Sequence, residues 1–317
     1  MSLIKPFAGL RPAPGRAADI AAPPYDVMNA AEARRMVEGR PWSFLHISRP
    51  EVDLPEGIDP YSPAVYAKAR ENLERMLAEG VLIRDSAPGY YVYRLTMGTH
   101  QQTGLVASAS IAAYDADRIK KHEFTRPVKE DDRVRQIEAL NAQTGPVFLV
   151  YRATAAIDDV LAAISVSAAE VDVTAADGVR HELWTVADAA QIAQLTSAFA
   201  ALDALYVADG HHRSAAASRV AAARRAATPA EASAQQGFLA VIFPHDQMQI
   251  LDYNRVIKDL HGMSLDDLMN HLAVAFAIEG SATPVKPAQP HEFGMYVSGH
   301  WYRLTLDSAP VSYTHLA

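Results

Sequence analysis

Asp209, Gly210, His211, His212 and Arg213 follow one another without interruption. Two imidazoles, a guanidinium and a carboxylate beside one glycine can hold an anion. The apolar run Leu202 to Ala208 before them reads as a short strand, and the alanine-rich run Ser214 to Ala227 after them reads as a helix. A strand–glycine–helix junction gathers free backbone N–H groups and the positive end of the helix dipole at one point, which suits a phosphate. Gly210 lets a ligand approach the backbone closely. Arg213 offers a rigid fork of donors to phosphate oxygens. His211 and His212 can donate to phosphate, carry protons or bind a metal. Asp209 can hold a magnesium ion, orient a histidine or cap the helix. Capping alone explains the aspartate but not four polar groups at one glycine.

A second polar block runs Lys120-Lys121-His122-Glu123-Phe124-Thr125-Arg126-Pro127 and continues Lys129-Glu130-Asp131-Asp132-Arg133. Here Glu123 is the candidate general base, with His122 as its competitor, and Arg126 or Arg133 can clamp phosphate. A solvated charged loop leading into an acidic helix start is the competing structural explanation. The zinc-protease pattern needs a histidine four residues after His122; Arg126 stands there, so that chemistry is excluded. Ala22-Pro23-Pro24-Tyr25-Asp26 is a rigid loop that can present Tyr25 and Asp26 to a substrate, or serve only as a proline turn. Asn254 and Arg255, in Asp252-Tyr253-Asn254-Arg255, are expected at a strand end, where Arg255 can reach a carboxylate or a phosphate. The Walker A, G-x-G-x-x-G and G-x-S-x-G patterns are missing, so the common kinase, dinucleotide and hydrolase signatures do not apply.

The elements that must position these residues are legible from patterning. Helices are expected over Ala30–Glu38, from Ser62-Pro63 to Gly80, and over Glu130–Ala142, Ala156–Ile164 and Leu265–Val274, with a further helix capped by Asp188. Strands are expected over Ile4–Leu10, Trp42–Ser48, Gly145–Tyr151, Phe238–Phe243 and Gln249–Tyr253. Hairpins are expected for Tyr90–Met97 with Leu105–Tyr114, and for Glu170–Thr174 with Val179–Val186 around Asp177-Gly178. A strand-like ending, Met295 to Leu306, turns at Ser298-Gly299-His300. This mixture indicates an α+β fold of mixed, largely antiparallel sheets with flanking helices. Residues 1–308 read as one domain without a clear internal boundary. Residues 309–317 are expected to be a non-native tail, because Val311 to Leu316 resembles a translated sequencing adapter, and the natural chain is expected to continue further.

With 317 residues, half of them hydrophobic, the chain is long enough for one large or two medium cores. The net charge of −8 argues against nucleic-acid binding through bulk charge. With no cysteine, disulfides and thiolate chemistry are excluded. No apolar run approaches a membrane span and the N-terminus lacks a signal-peptide shape, so a cytoplasmic protein with no membrane partner is expected.

The set Ala22-Pro23-Pro24-Tyr25-Asp26-Val27, His122-Glu123 with Thr125, Asp132-Arg133, Asp209 to Arg213 and Tyr253-Asn254-Arg255 resembles a bacterial family catalogued as domain of unknown function 1015. The likeness runs from Ile4 to about Leu306. Phe124 departs from it, standing where a longer polar residue is expected. The Asp-Gly-His-His-Arg run is also similar to the phosphate turn of the ParB/sulfiredoxin superfamily, which includes a CTP-dependent partition clamp, an ATP-using sulfinic-acid reductase and free serine kinases. That likeness implies a nucleotide-binding core, phosphate held by Gly210 and Arg213, and His211 and His212 on phosphate or magnesium. It implies a nucleotide-dependent phosphotransferase acting on a small hydroxylated metabolite, free L-serine by analogy, with Mg2+ and ATP or ADP. Tyr25, Asp26, Arg133, Asn254 and Arg255 would then hold the substrate. A nucleotide-binding regulator without turnover, and a metal-dependent hydrolase using Asp209, His211, His212 and Glu123, are the alternatives. The sequence leaves the metal ligands and the oligomeric state open.

Overall fold

The hairpin β4 (Tyr90–Met97) and β5 (His100–Ser110) forms around a turn at Gly98, whose φ of +59° a side chain would oppose. It lies near the middle of a nine-stranded sheet in a computed structural model that describes residues 2–227 and 236–306. The chain divides between Gln249 and Ile250 into two compact units.

In the first unit the other strands of this sheet are β1 (Ile4–Lys5), β6 (Ile119–Lys120), β7 (Val147–Tyr151), β8 (Val171–Thr174), β9 (Arg180–Val186), β10 (Leu205–Asp209) and β11 (Gly237–Pro244). Their order is β6-β10-β7-β11-β5-β4-β9-β8, with β1 also on β5. The β6/β10 and β7/β11 pairs are parallel and the remaining pairs antiparallel. A separate small ladder joins β2 (Leu10–Pro12) to β3 (Leu82–Arg84). The fold is therefore α+β with mixed sheets and flanking helices.

Buried Tyr90, Leu105, Leu149, Tyr151, Phe199, Phe238 and Ile242 make the central core. Each large apolar side chain removed from water contributes about 1.5–3 kcal/mol before the entropy of ordering it is subtracted. Helices α7 (Ala155–Ile164) and α8 (Ala189–Ala200, capped by Asp188) bury Ile157, Leu161, Leu195 and Phe199 into that core. Short α5 (Ile111–Asp115) continues directly from β5, whose strand was expected to run on to Tyr114. The serine hydroxyl of Ser110 accepts from the Ala113 N–H and ends the strand by starting a helix.

A second cluster lies under α1 (Ala17–Ile20), α3 (Leu45–Ser48) and α4 (Pro63–Ala78), and includes Ile20, Ile47, Leu73 and Met76; α2 (Ala30–Val37) buries Ala33 in a smaller cluster with Met28, Leu45 and Val52. The strand expected over Trp42–Ser48 is instead α3. Leu45, His46 and Ile47 are buried on successive helical positions, and an apolar run enclosed on every side has no period that distinguishes strand from helix. α6 (Pro127–Leu140) starts on a proline and ends at Asn141 in the left-handed region (φ 47°). It packs against both α4 and α9 (His211–Ala227), so it links the second cluster to the glycine turn.

The second unit contains α10 (Leu265–Leu272), held by a Ser264/Asp267 capping box, and a sheet of order β12-β14-β13 formed by β12 (Phe276–Ser281), β13 (Glu292–Val297) and β14 (His300–Leu306). The turn at Ser298-Gly299 is as expected, while the strand expected at Gln249–Tyr253 is irregular chain. Residues 309–317 lie outside the described residues. Among the described residues no helix is long and apolar enough to cross a membrane.

Candidate functional site

The turn between β10 and α9 is shaped by a break in the ladder. Pairing of β10 with β7 slips between Val207 and Asp209, so Ala208 bulges and the chain swings out of the sheet. Gly210 then adopts φ +96°, and a Cβ there would stand 3.2 Å from the Val147 Cα. Only glycine fits both constraints. The Gly210 carbonyl accepts from the N–H groups of Arg213 and Ser214 and so closes the first turn of α9. The N–H groups of His211 and His212, one turn too early to find a helical partner, are the donors that such a terminus offers to an anion.

Arg213 lies across the turn. Its Nη1 donates to the Pro146 carbonyl at 2.6 Å, while Nη2 is 3.3 Å from Asp209 Oδ2 and 3.7 Å from Asp26 Oδ2. Asp209 therefore flanks the arginine, and among the described residues its carboxylate makes no capping bond to the helix backbone. The ring of Tyr25 sits between two cations, 4.3 Å from the Arg133 guanidinium and 5.8 Å from that of Arg213. The loop that carries Tyr25 is fastened by Arg49, whose Nη1 donates to the Tyr25 and Met28 carbonyls.

The block around Glu123 meets the same helix start. His211 is 3% exposed, with Nδ1 3.4 Å from Glu123 Oε2 and with Nε2 buried and without a hydrogen-bond partner among the described residues. The His122 ring meets it edge to face at 4.5 Å. Burial, reinforced by the charge His122 can carry, lowers the His211 pKa. Next along, His212 Nε2 accepts the Arg126 N–H at 3.0 Å, which places the proton of a neutral ring on Nδ1. Burial lowers the His212 pKa as well. Both imidazoles thus favour the neutral form, the one able to accept a proton. Glu123 itself is 60% exposed.

Beside the turn opens a cleft of about 330 Å³, lined among others by Tyr25, Asp26, Lys129, Asp132, Arg133 and His212. Its charges are mostly paired. Asp132 accepts from Arg133 (2.5 Å) and from the Tyr66 hydroxyl (2.7 Å), and Arg49 donates to Glu51 at 2.6 Å. Burial and Asp132 hold the Tyr66 phenol protonated well above its usual range. Lys129 makes no ion pair among the described residues.

Segments far apart in sequence thus converge in the first unit: Tyr25–Asp26, His122–Arg126, Lys129–Arg133 and Asp209–Arg213. Asn254 and Arg255 belong to the second unit, where they are exposed and the Arg255 guanidinium lies 5.3 Å from the Tyr253 ring. The sequence did not single out Tyr66, Arg49, Glu51 or Lys129 for this site. Tyr66 sits on the apolar face of α4, so nothing in its spacing signals that its hydroxyl reaches Asp132. Arg49-Pro50-Glu51 carries no recognisable spacing, whereas Lys129 stood inside a block already marked as polar.

Among the described residues no group of three histidine, aspartate or glutamate side chains is arranged to hold a metal ion. A magnesium ion would accordingly depend on phosphate oxygens for most of its ligands, which is the usual manner for this ion, with Asp26 and Asp209 the carboxylates beside Arg213.

A family model described as protein of unknown function (DUF1015) matches residues 4–316, and the chain belongs to that family. No curated protein and no solved structure matches it.

Proposed function

We propose that this member of the family is a nucleotide-dependent phosphotransferase that acts on a small hydroxylated metabolite. The observation that carries the reading is the convergence of Glu123, Arg213, Tyr25 and the start of α9 at one turn beside a cleft of metabolite size. Phosphoryl transfer asks for little covalent chemistry from a protein and much positioning and charge neutralisation. Arg213 and the His211 and His212 N–H groups would neutralise the terminal phosphates of ATP or ADP. Mg2+, when bound with the nucleotide, would supply further neutralisation, with Asp26 and Asp209 in reach to share in holding it. Glu123 would accept the acceptor's hydroxyl proton as the oxygen bonds to the terminal phosphorus and the bridging oxygen departs with the nucleotide. Arg133 and Lys129 face the cleft that would take the acceptor. Free L-serine is the acceptor to try first, through the likeness of Asp209–Arg213 to the phosphate turn of the ParB/sulfiredoxin superfamily.

The test is turnover, followed as nucleotide converted in the presence of serine and other hydroxylated metabolites. Removing a general base lowers turnover by about 10²–10⁴-fold. Glu123→Gln should do so and leave nucleotide affinity within about twofold. Equal turnover in the variant and the parent would remove Glu123 from the chemistry.

A further inference from the structure

We propose that Phe124 takes the nucleobase of the bound nucleotide by stacking, an inference that rests on the nucleotide reading above. Phe124 is 98% exposed and makes no ring contact among the described residues. Single exposed apolar side chains are common, so exposure alone carries nothing. The placement carries the inference. The residue before Phe124, Glu123, lies against His211, and two residues after it the Arg126 N–H is bonded to His212. Both anchors are on the first turn of α9. The phenyl ring is therefore carried on a segment fastened to the first turn of α9, with its faces in water.

The other aromatic side chain at the turn, Tyr25, is already engaged by two guanidiniums. Tyr66 is buried with its hydroxyl committed to Asp132, and Tyr61, 39% exposed, lines the cleft that would take the acceptor. Phe124 is thus the aromatic face on offer where a nucleotide's base would emerge from a phosphate held by Gly210 and Arg213. A phenyl ring has no hydrogen-bonding edge, so it grips any base by its π-face and favours the larger purine over the pyrimidine.

The experiment compares the full chain with Phe124→Ala and Phe124→Trp, titrating each with tripolyphosphate, ATP and CTP in the presence of magnesium. Loss of one base–aromatic stack weakens binding by about tenfold or more. Phe124→Ala should weaken ATP by that factor, weaken CTP less, and leave tripolyphosphate unchanged, while Phe124→Trp should restore ATP. If the parent binds tripolyphosphate and Phe124→Ala binds ATP as tightly as the parent, the stacking role is overturned and the phosphate site stands. Equal weakening of tripolyphosphate and ATP overturns it too, because the ring then supports the loop rather than the base. A parent that binds none of the three removes the nucleotide reading and this inference with it. A shift in oligomeric state in Phe124→Ala, read by size-exclusion chromatography, would assign the ring to a contact between copies instead.

Discussion

His212 shows how one hydrogen bond can define a side chain's chemistry. Because its Nε2 accepts the Arg126 N–H, the ring must be unprotonated there, and protonation would set two donors against each other. The loop that carries His122 and Glu123 is fastened at that point. Around His212 stand Glu123 and Glu130, which favour the charged ring, and Lys129 and Arg126, which oppose it; burial outweighs them and lowers the pKa. A histidine disfavoured as a cation in the folded state makes its full contribution to stability above the unfolded-state pKa, about 6.5, and loses it as pH falls through and below that value. His211, lowered by burial and His122, acts in the same direction. The melting temperature should therefore fall between pH 7.5 and pH 5.5. His212→Gln, which can accept the same bond through its amide oxygen but does not titrate, should show a smaller fall. An identical fall in parent and variant would mean that His212 does not carry the dependence.

At the scale of elements, the β10–α9 junction depends on a bulge, a glycine and the first turn of a helix acting together. Gly210→Ala must place a Cβ against the β7 backbone at a φ that L-residues avoid. The cost is expected to be on the order of 1–3 kcal/mol, read as a lower denaturant midpoint at unchanged slope. A midpoint equal to the parent's would show that the turn can relax without Gly210. The junction itself was legible, since an apolar strand, a glycine and an alanine-rich run have different periodicities that do not overlap. The hairpin around Asp177-Gly178 and the helix from Pro63 were legible too, marked by a turn and a cap residue, and the helices expected over Ala30–Glu38 and Ala156–Ile164 form as Ala30–Val37 and Ala155–Ile164. Trp42–Ser48 was not, because burial on all sides erases the period. Gln249–Tyr253 was not, because a short apolar run forms a strand only where a ladder partner is present, and none pairs with it among the described residues. The polar segments of the site were readable one by one. Their meeting was not, since α6 brings Lys129 to Arg133 to the turn through packing on α4 and α9.

At the scale of the whole molecule, the chain carries a net charge of −8, so its overall field repels polyphosphates rather than gathering them. The attraction for a nucleotide's phosphates would then come from local donors, chiefly Arg213 and the start of α9. That makes the nucleotide reading sharply testable, because a single substitution at Arg213 removes the central donor. Arg213 is also part of the local structure through Pro146 and Asp209, so the variant's own melting point must be measured without ligand first. A ligand that binds only the folded state stabilises it by about 2.7 kcal/mol at a hundredfold excess over its dissociation constant. The most direct measurement is a thermal-shift titration of the full chain and of Arg213→Ala with ATP, ADP and CTP, with and without magnesium. A magnesium-dependent rise in melting temperature is expected for the parent and is lost in a folded Arg213→Ala protein. An equal rise in both, or no rise with any of the three nucleotides in a folded parent, would contradict it.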